Sequence, residues 1–198
     1  MARDTRTQFL DEAEALFAQR GFYGVSIAAI GDAMGLTKQA LLHHFDSKEK
    51  LYGEVLKRIS ESFDGVVEKA AAGTDDPRAR LRAFLLQLYT ASGDRPSQTQ
   101  LLMRELLDNR RRADTAGTWY LKRFLEHLIA MVQAIPNWQD ASDAEALSFA
   151  YQMIGAINYF QISQPTLTGI FGGAEYTALE QAYRGQLERL IDAGIAAR

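Results

Sequence analysis

The chain has 198 residues, of which 47% are hydrophobic and 24% charged, with a net charge of −3. That length admits one or two domains with a real core. There is no cysteine, which excludes disulfides, thiolate metal sites and cysteine nucleophiles. No apolar run approaches the roughly 20 residues of a membrane span, and the opening Met-Ala-Arg-Asp-Thr-Arg lacks a signal-peptide core. A reducing, cytoplasmic setting is expected. Charge counts mildly against a nucleic-acid partner, since DNA-binding domains are usually basic. Up to Lys50 the chain carries six basic residues against seven acidic ones, so any case for DNA must rest on where charges sit.

Almost every segment reads as helix, because glycine and proline fall between apolar runs of helical period and no stretch alternates with period two. Helix one spans about Arg3 to Arg20, with Phe9, Ala13, Leu16 and Phe17 on one face and Gly21 as its stop. After the turn GFYG, Ser26 is an N-cap for a short second helix that buries Ile27, Ile30 and Met34. Gly35 ends it. Thr37 caps helix three, which runs to Phe45, and Ser47 caps a long helix four with Tyr52, Val55, Ile59, Phe63 and Val66 as its stripe. Asp75, Asp76 and Pro77 start helix five, which carries Leu81, Phe84, Leu85 and Leu88. Gly93 to Ser97 reads as a loop, helix six packs on Leu102, Met103 and Leu106, and helix seven, with Leu121, Phe124, Leu125, Leu128 and Val132, stops before Pro136. Ser142 and Glu145 form a capping box for helix eight. Ser163 to Gly173, with Pro165 and three glycines, reads as a loop before the last helix. The expected fold is all-α: an N-terminal three-helix bundle joined by a long helix to a larger C-terminal helical bundle.

Ser26 to Tyr52 is the stretch with chemistry. A helix-turn-helix needs a small residue where the second helix crosses the first, and glycine where the corner takes positive φ. Gly31 and Gly35 fill these roles, with Ile27, Ile30, Leu36 and Leu41 as the shared core. Thr37, Lys38, Gln39, Leu42 and His43 then line the outer face of helix three. Lysine and glutamine can read base edges in a major groove. Ser26, Thr37, His44 and Lys48 lie at or beside helix starts, where amides and the helix dipole favour a phosphate oxygen. Two capped helices in an ordinary all-α core would carry the same signature.

The stretch resembles the DNA-binding segment of the TetR family of transcriptional regulators. The resemblance lies in Ser26-Ile27-Ala28-Ala29-Ile30-Gly31, in Met34-Gly35-Leu36-Thr37-Lys38, and in His43-His44-Phe45-Asp46-Ser47-Lys48-Glu49-Lys50-Leu51. Upstream, Leu16 to Gly24 is similar to the end of the family's first helix and its turn. The resemblance implies a DNA-binding domain over residues 1–50 and an effector-binding and dimerisation domain over 51–198. The family usually has alanine where this chain has Gly31 and Met34, commonly glycine at Gln39, and tyrosine or a similar residue at Leu42. That tyrosine often touches a phosphate; Leu42 cannot, though it can pack against a thymine methyl.

Elsewhere the sequence offers little chemistry. His43 and His44 are adjacent, point about 100° apart on a helix and rarely share one ion; no metal site, cofactor or catalytic residue is expected. Arg110-Arg111-Arg112 is the densest basic run and suits a solvated helix end. The C-terminal half is rich in large apolar residues, including Trp119 and Met131. If a cavity forms there, as the resemblance implies, Phe84, Leu88, Tyr89, Met103, Leu106, Phe124, Leu128, Phe149 and Met153 are its candidate lining, suited to a hydrophobic or aromatic effector. Gly155-Ala156, Ala182 and Gly185 allow close helix approach, and the resemblance points to a four-helix dimer interface on Ala150, Ile154, Ile157, Tyr183, Leu187 and Leu190. Two functions fit. One is a homodimeric regulator, a repressor released from a palindromic operator by a small effector. The other is a helical ligand-binding protein whose DNA binding is weakened or lost.

Overall fold

Helices account for every regular element among the described residues, which are 4–108 and 122–197 of a computed structural model. In order they are α1 (Thr5–Arg20), α2 (Ile27–Ala33), α3 (Lys38–Phe45), α4 (Lys48–Ala72), α5 (Pro77–Asp94), α6 (Pro96–Asp108), α7 (Lys122–Gln133), a 3-10 turn at Pro136–Trp138, α8 (Asp143–Phe171) and α9 (Gly173–Ala196). Capping explains most starts. The Asp76 carboxylate accepts from the amides of Arg78 and Ala79, with Pro77 in the first turn. Ser142 and Glu145 satisfy each other's amides ahead of α8. Arg110, Arg111, Arg112, Trp119 and Leu121 lie outside the described residues.

Two expected loops are helix instead. Gly93 and Asp94 belong to α5, and only Arg95 separates them from α6, which Pro96 restarts at a first-turn position where its missing amide costs nothing. The stretch expected as a loop from Ser163 to Gly173 is the last part of α8, with Pro165 inside the helix; the break shrinks to Gly172, at φ 93°. Pro165 removes one donor to the carbonyl four residues earlier. Gln164, Pro165 and Thr166 are exposed, so water is at hand along this side of the helix.

The chain packs as two compact units, Met1–Ser62 with Ser97–Tyr120, and Phe63–Pro96 with Leu121–Arg198. The first unit thus runs past residue 50 and takes in α6. Its core is Phe9, Ala13 and Phe17 of α1, Ile30 of α2, Leu41 and Phe45 of α3, and Leu51, Val55 and Ile59 of α4. Polar side chains tie α6 to it. Glu14, only 8% exposed, accepts from Arg58 of α4 at 2.7 Å and from Ser97 of α6 at 3.2 Å. Arg58 also reaches Asp11 at 2.6 Å. Further along α6, buried Glu105 accepts from the Tyr52 hydroxyl at 2.6 Å. The inner face of α6 is therefore Leu101, Leu102 and Glu105, while Leu106 is exposed and Met103 half-buried.

In the second unit α8 packs against α5, α7 and α9. A side chain at Gly194 would overlap the Phe149 ring, so glycine there lets α9 meet α8 closely. Trp138 stacks on the same ring at 5.1 Å, and Trp138 and Asn137 both donate to the Ile195 carbonyl, an end group of α9 that needs partners. Tyr183 lies parallel to Phe160 with centroids 3.8 Å apart, and its hydroxyl donates to the Ala156 carbonyl at 2.7 Å.

Burial pushes the Tyr89 hydroxyl up to about 12, with the nearby Glu180 carboxylate acting in the same direction; burial likewise raises Tyr176 and Tyr183. Folding therefore favours the protonated phenols. That contribution is complete below the ordinary tyrosine value of 10 and is lost as pH rises from there through about 12. Melting followed by circular dichroism should show the transition falling over this window, and Tyr89→Phe should flatten part of the fall.

Candidate nucleic-acid interface

The interface is built on the corner between α2 and α3. Ser26 and Thr37 cap the two helices, their hydroxyls accepting from the amides of Ala29 at 3.0 Å and Ala40 at 3.2 Å. Gly35 turns the chain at φ 66°. The Leu36 amide donates back to the Gly31 carbonyl at 2.9 Å. A Cβ at Gly31 would stand 2.8 Å from the Leu36 carbonyl oxygen, closer than side chains are found, so the corner is tight where a larger residue would open it.

This corner fixes which face of α3 is free. Leu41 and Phe45 are buried, and Thr37, Lys38, Gln39, His43 and His44 are exposed. Leu42 is half-buried, between the two faces. The His44 ring also lies against Phe9 of α1, with centroids 5.6 Å apart. Asp46, at φ 59° and ψ −44°, joins α3 to α4 in a γ-turn closed by the Ser47 amide on the Phe45 carbonyl. Its carboxylate meets Lys50 at 2.6 Å, and the hydrogen bond from Lys50 holds it below the usual carboxylate range. Ser47 caps α4 through the Lys50 amide. Lys48 follows the cap, its ammonium 4.2 Å above the centre of the Phe22 ring.

The cation, amide and hydroxyl donors of this surface lie at helix starts or on one short helix. Such donors can meet phosphate oxygens on either side of a groove, and the exposed Lys38 and Gln39 carry groups able to hydrogen-bond base edges. Residues 9–55 match the family model "Bacterial regulatory proteins, tetR family". This N-terminal domain belongs to the TetR family. Over 86 residues the chain is 38% identical to the HTH-type transcriptional repressor KstR2 of Rhodococcus jostii (strain RHA1), which is 43% of this chain and 42% of that protein. It is also 38% identical over 80 residues to the HTH-type transcriptional activator FasR of Mycolicibacterium smegmatis (strain ATCC 700084 / mc(2)155), covering 40% and 36% of the two chains. The chain thus spans about two fifths of the length of the curated relatives it matches. The fold is similar to that of a TetR-like transcriptional regulator from Rhodococcus sp. RHA1, with a TM-score of 0.70 at 21% identity over 100% of both chains.

Outside the TetR-family domain, the candidate effector residues fall in different places. Phe84, Leu88, Tyr89, Phe124, Leu128, Phe149 and Met153 are buried in the second unit. Met103 and Leu106 lie on α6 of the first. Of the candidate dimer residues, Ala150, Ile157 and Leu187 are buried among the chain's own helices, Ile154 and Tyr183 are half-buried, and Leu190 is exposed. No group of three or more His, Asp or Glu residues among those described could hold a metal ion. None of their helices is long and apolar enough to cross a membrane.

No role for Glu14, Phe22 or Glu105 follows from the sequence motifs alone. A signal existed for the two carboxylates: Glu14 sits four after Leu10 and three before Phe17, and Glu105 four after Leu101, each on a buried face. At Gly35 nothing lies within 4 Å of an added Cβ, so Gly35→Ala isolates the cost of a left-handed backbone at the corner. It should lower stability by about 1–2 kcal/mol, read by chemical denaturation; a loss below a few tenths would show that the corner adjusts freely.

Proposed function

We propose that the chain is a sequence-specific, DNA-binding transcriptional regulator of the cytoplasm, working as a homodimer. It is a repressor that leaves a palindromic operator when a small hydrophobic or aromatic effector binds its C-terminal helices. The observation that carries this reading is the exposed face of α3, where Lys38, Gln39 and His43 stand on a helix anchored from behind by Leu41 and Phe45. Two such helices would enter successive major grooves about 34 Å apart. In this reading Ser26, Thr37, His44 and Lys48 meet phosphates, and Leu42 meets a thymine methyl. No catalytic step is assigned to the chain.

Dimerisation would use the outer face of α8 and α9. Tyr151 and Tyr159 on α8 and Leu179 and Leu190 on α9 are exposed, Tyr159 by 71%. Gly155, between the two tyrosines, has open space around it within the chain. A glycine inside a helix costs about 1 kcal/mol relative to alanine, and a second copy approaching closely is what would offset it. Ile154 and Tyr183 border this face, whereas Ala150, Ile157 and Leu187 support it from beneath. The effector would enter among the buried aromatic and aliphatic side chains of α5, α7 and α8. It shifts operator affinity only by the difference between its own affinities for the two states.

Gel shifts with a pool of duplex fragments at low salt test the reading: a sequence-preferring band is expected, and its absence would leave the chain a ligand-binding protein without DNA. Lys48→Ala should weaken binding to all sequences and lower the salt slope by about 0.9 per protomer, roughly 1.8 for the dimer; an unchanged slope removes its phosphate contact. Gln39→Ala should alter site preference more than non-specific affinity, as selection from a randomised duplex would reveal. Unaltered preference would count against base reading at that position.

A further inference from the structure

We infer that Phe22, braced by Tyr52 and Glu105, is a positioning residue that sets where the Lys48 ammonium stands at the DNA face. The inference rests on the reading that Lys48 meets a phosphate. The Lys48 ammonium lies 4.2 Å over the Phe22 ring, on the face where the ring's quadrupole attracts a cation. That ring is itself held. Its centroid is 5.0 Å from that of Tyr52, edge to face, and 6.1 Å from that of Phe17, stacked. Phe17 is fully buried and Tyr52 nearly so. Behind them the Tyr52 hydroxyl donates to the buried Glu105 carboxylate of α6 at 2.6 Å. A continuous set of contacts, all within the first compact unit, thus runs from a carboxylate on α6 through a phenol and a ring to a cation at the start of α4.

Lysine is a point charge on a flexible four-carbon stem, and its freedom must be lost when it meets a phosphate. An ammonium already resting over a fixed ring has surrendered much of that freedom before binding. Loss of the Tyr52 bond to Glu105 would leave Phe22 less firmly held, and with it the ammonium of Lys48.

The test is anisotropy of the full-length chain on a fluorescent mixed-sequence duplex across a salt series. Phe22→Leu should bind about two- to fivefold more weakly than wild type per protomer, with a salt slope shallower by up to about 0.9 per protomer. Adding Lys48→Ala to it should cost little more, and Phe22→Tyr should recover the slope that Phe22→Leu loses. Tyr52→Phe keeps every ring but removes the bond to Glu105; it should shift the slope the same way by less. It carries the test if melting shows Phe22→Leu to be unfolded. Lys48→Ala costing the same factor with and without Phe22, or a slope untouched by Phe22→Leu or, in its place, Tyr52→Phe, would overturn the positioning role. If wild type binds with a slope that Lys48→Ala lowers, such a result removes the positioning role alone. If wild type binds no duplex, the regulator reading fails, and this inference with it.

Discussion

The hydrogen bond from the Leu36 amide to the Gly31 carbonyl, 2.9 Å long, holds the chain's most consequential corner. It forms because Gly31 has no Cβ to strike the Leu36 carbonyl and because Gly35 can take φ 66°. With the corner closed, α3 crosses α2 in one orientation, and Leu41 and Phe45 turn inward to join Phe9, Phe17 and Ile30. The opposite face of α3 is then exposed. Lys38, Gln39 and His43 owe their position to that geometry rather than to any contact of their own. The acidic balance of the chain matters less than its low sum suggests, because the relevant cations sit at capped helix starts where backbone amides add their partial charge.

A second layer of constraint is polar and buried. Glu14 and Glu105 sit inside the first unit with Arg58, Ser97 and Tyr52 as partners. Such pairs add little net stability when complete, yet breaking one leaves a buried charge at high cost. They specify which helices meet, and so draw α6 into the same unit as α2 and α3. The second unit is built differently, from stacked aromatic rings and aliphatic side chains, with Gly194 admitting the Phe149 ring against α9. Gly155 and Gly169 of α8 are exposed and have open space around them.

Local signals were the legible ones. N-caps at Ser26, Thr37, Ser47, Asp76 and Ser142, and the glycine corner, act over three or four residues and can be read directly from sequence. So could the apolar stripes of α1, α4 and α5. Interactions that join distant segments could not. Gly93 and Pro165 read as breaks because their local preferences are strong, whereas tertiary packing and solvent contact decided otherwise. The placement of Phe22 beside Lys48 depends on the turn after α1 meeting the start of α4, which no spacing rule encodes. Apolar residues of the C-terminal half posed a further problem: core and cavity lining draw on the same side chains, so composition alone separates neither from the other.

Amide hydrogen exchange of the full chain, with and without excess duplex DNA at low salt, bears most directly on the role of α3. Added protection should concentrate on residues 26–48, covering α2, α3 and the start of α4, while α5 and α7 to α9 exchange as before. Protection confined to the helices of the second unit, or none at all despite measurable binding, would contradict α3 as the DNA-contacting face.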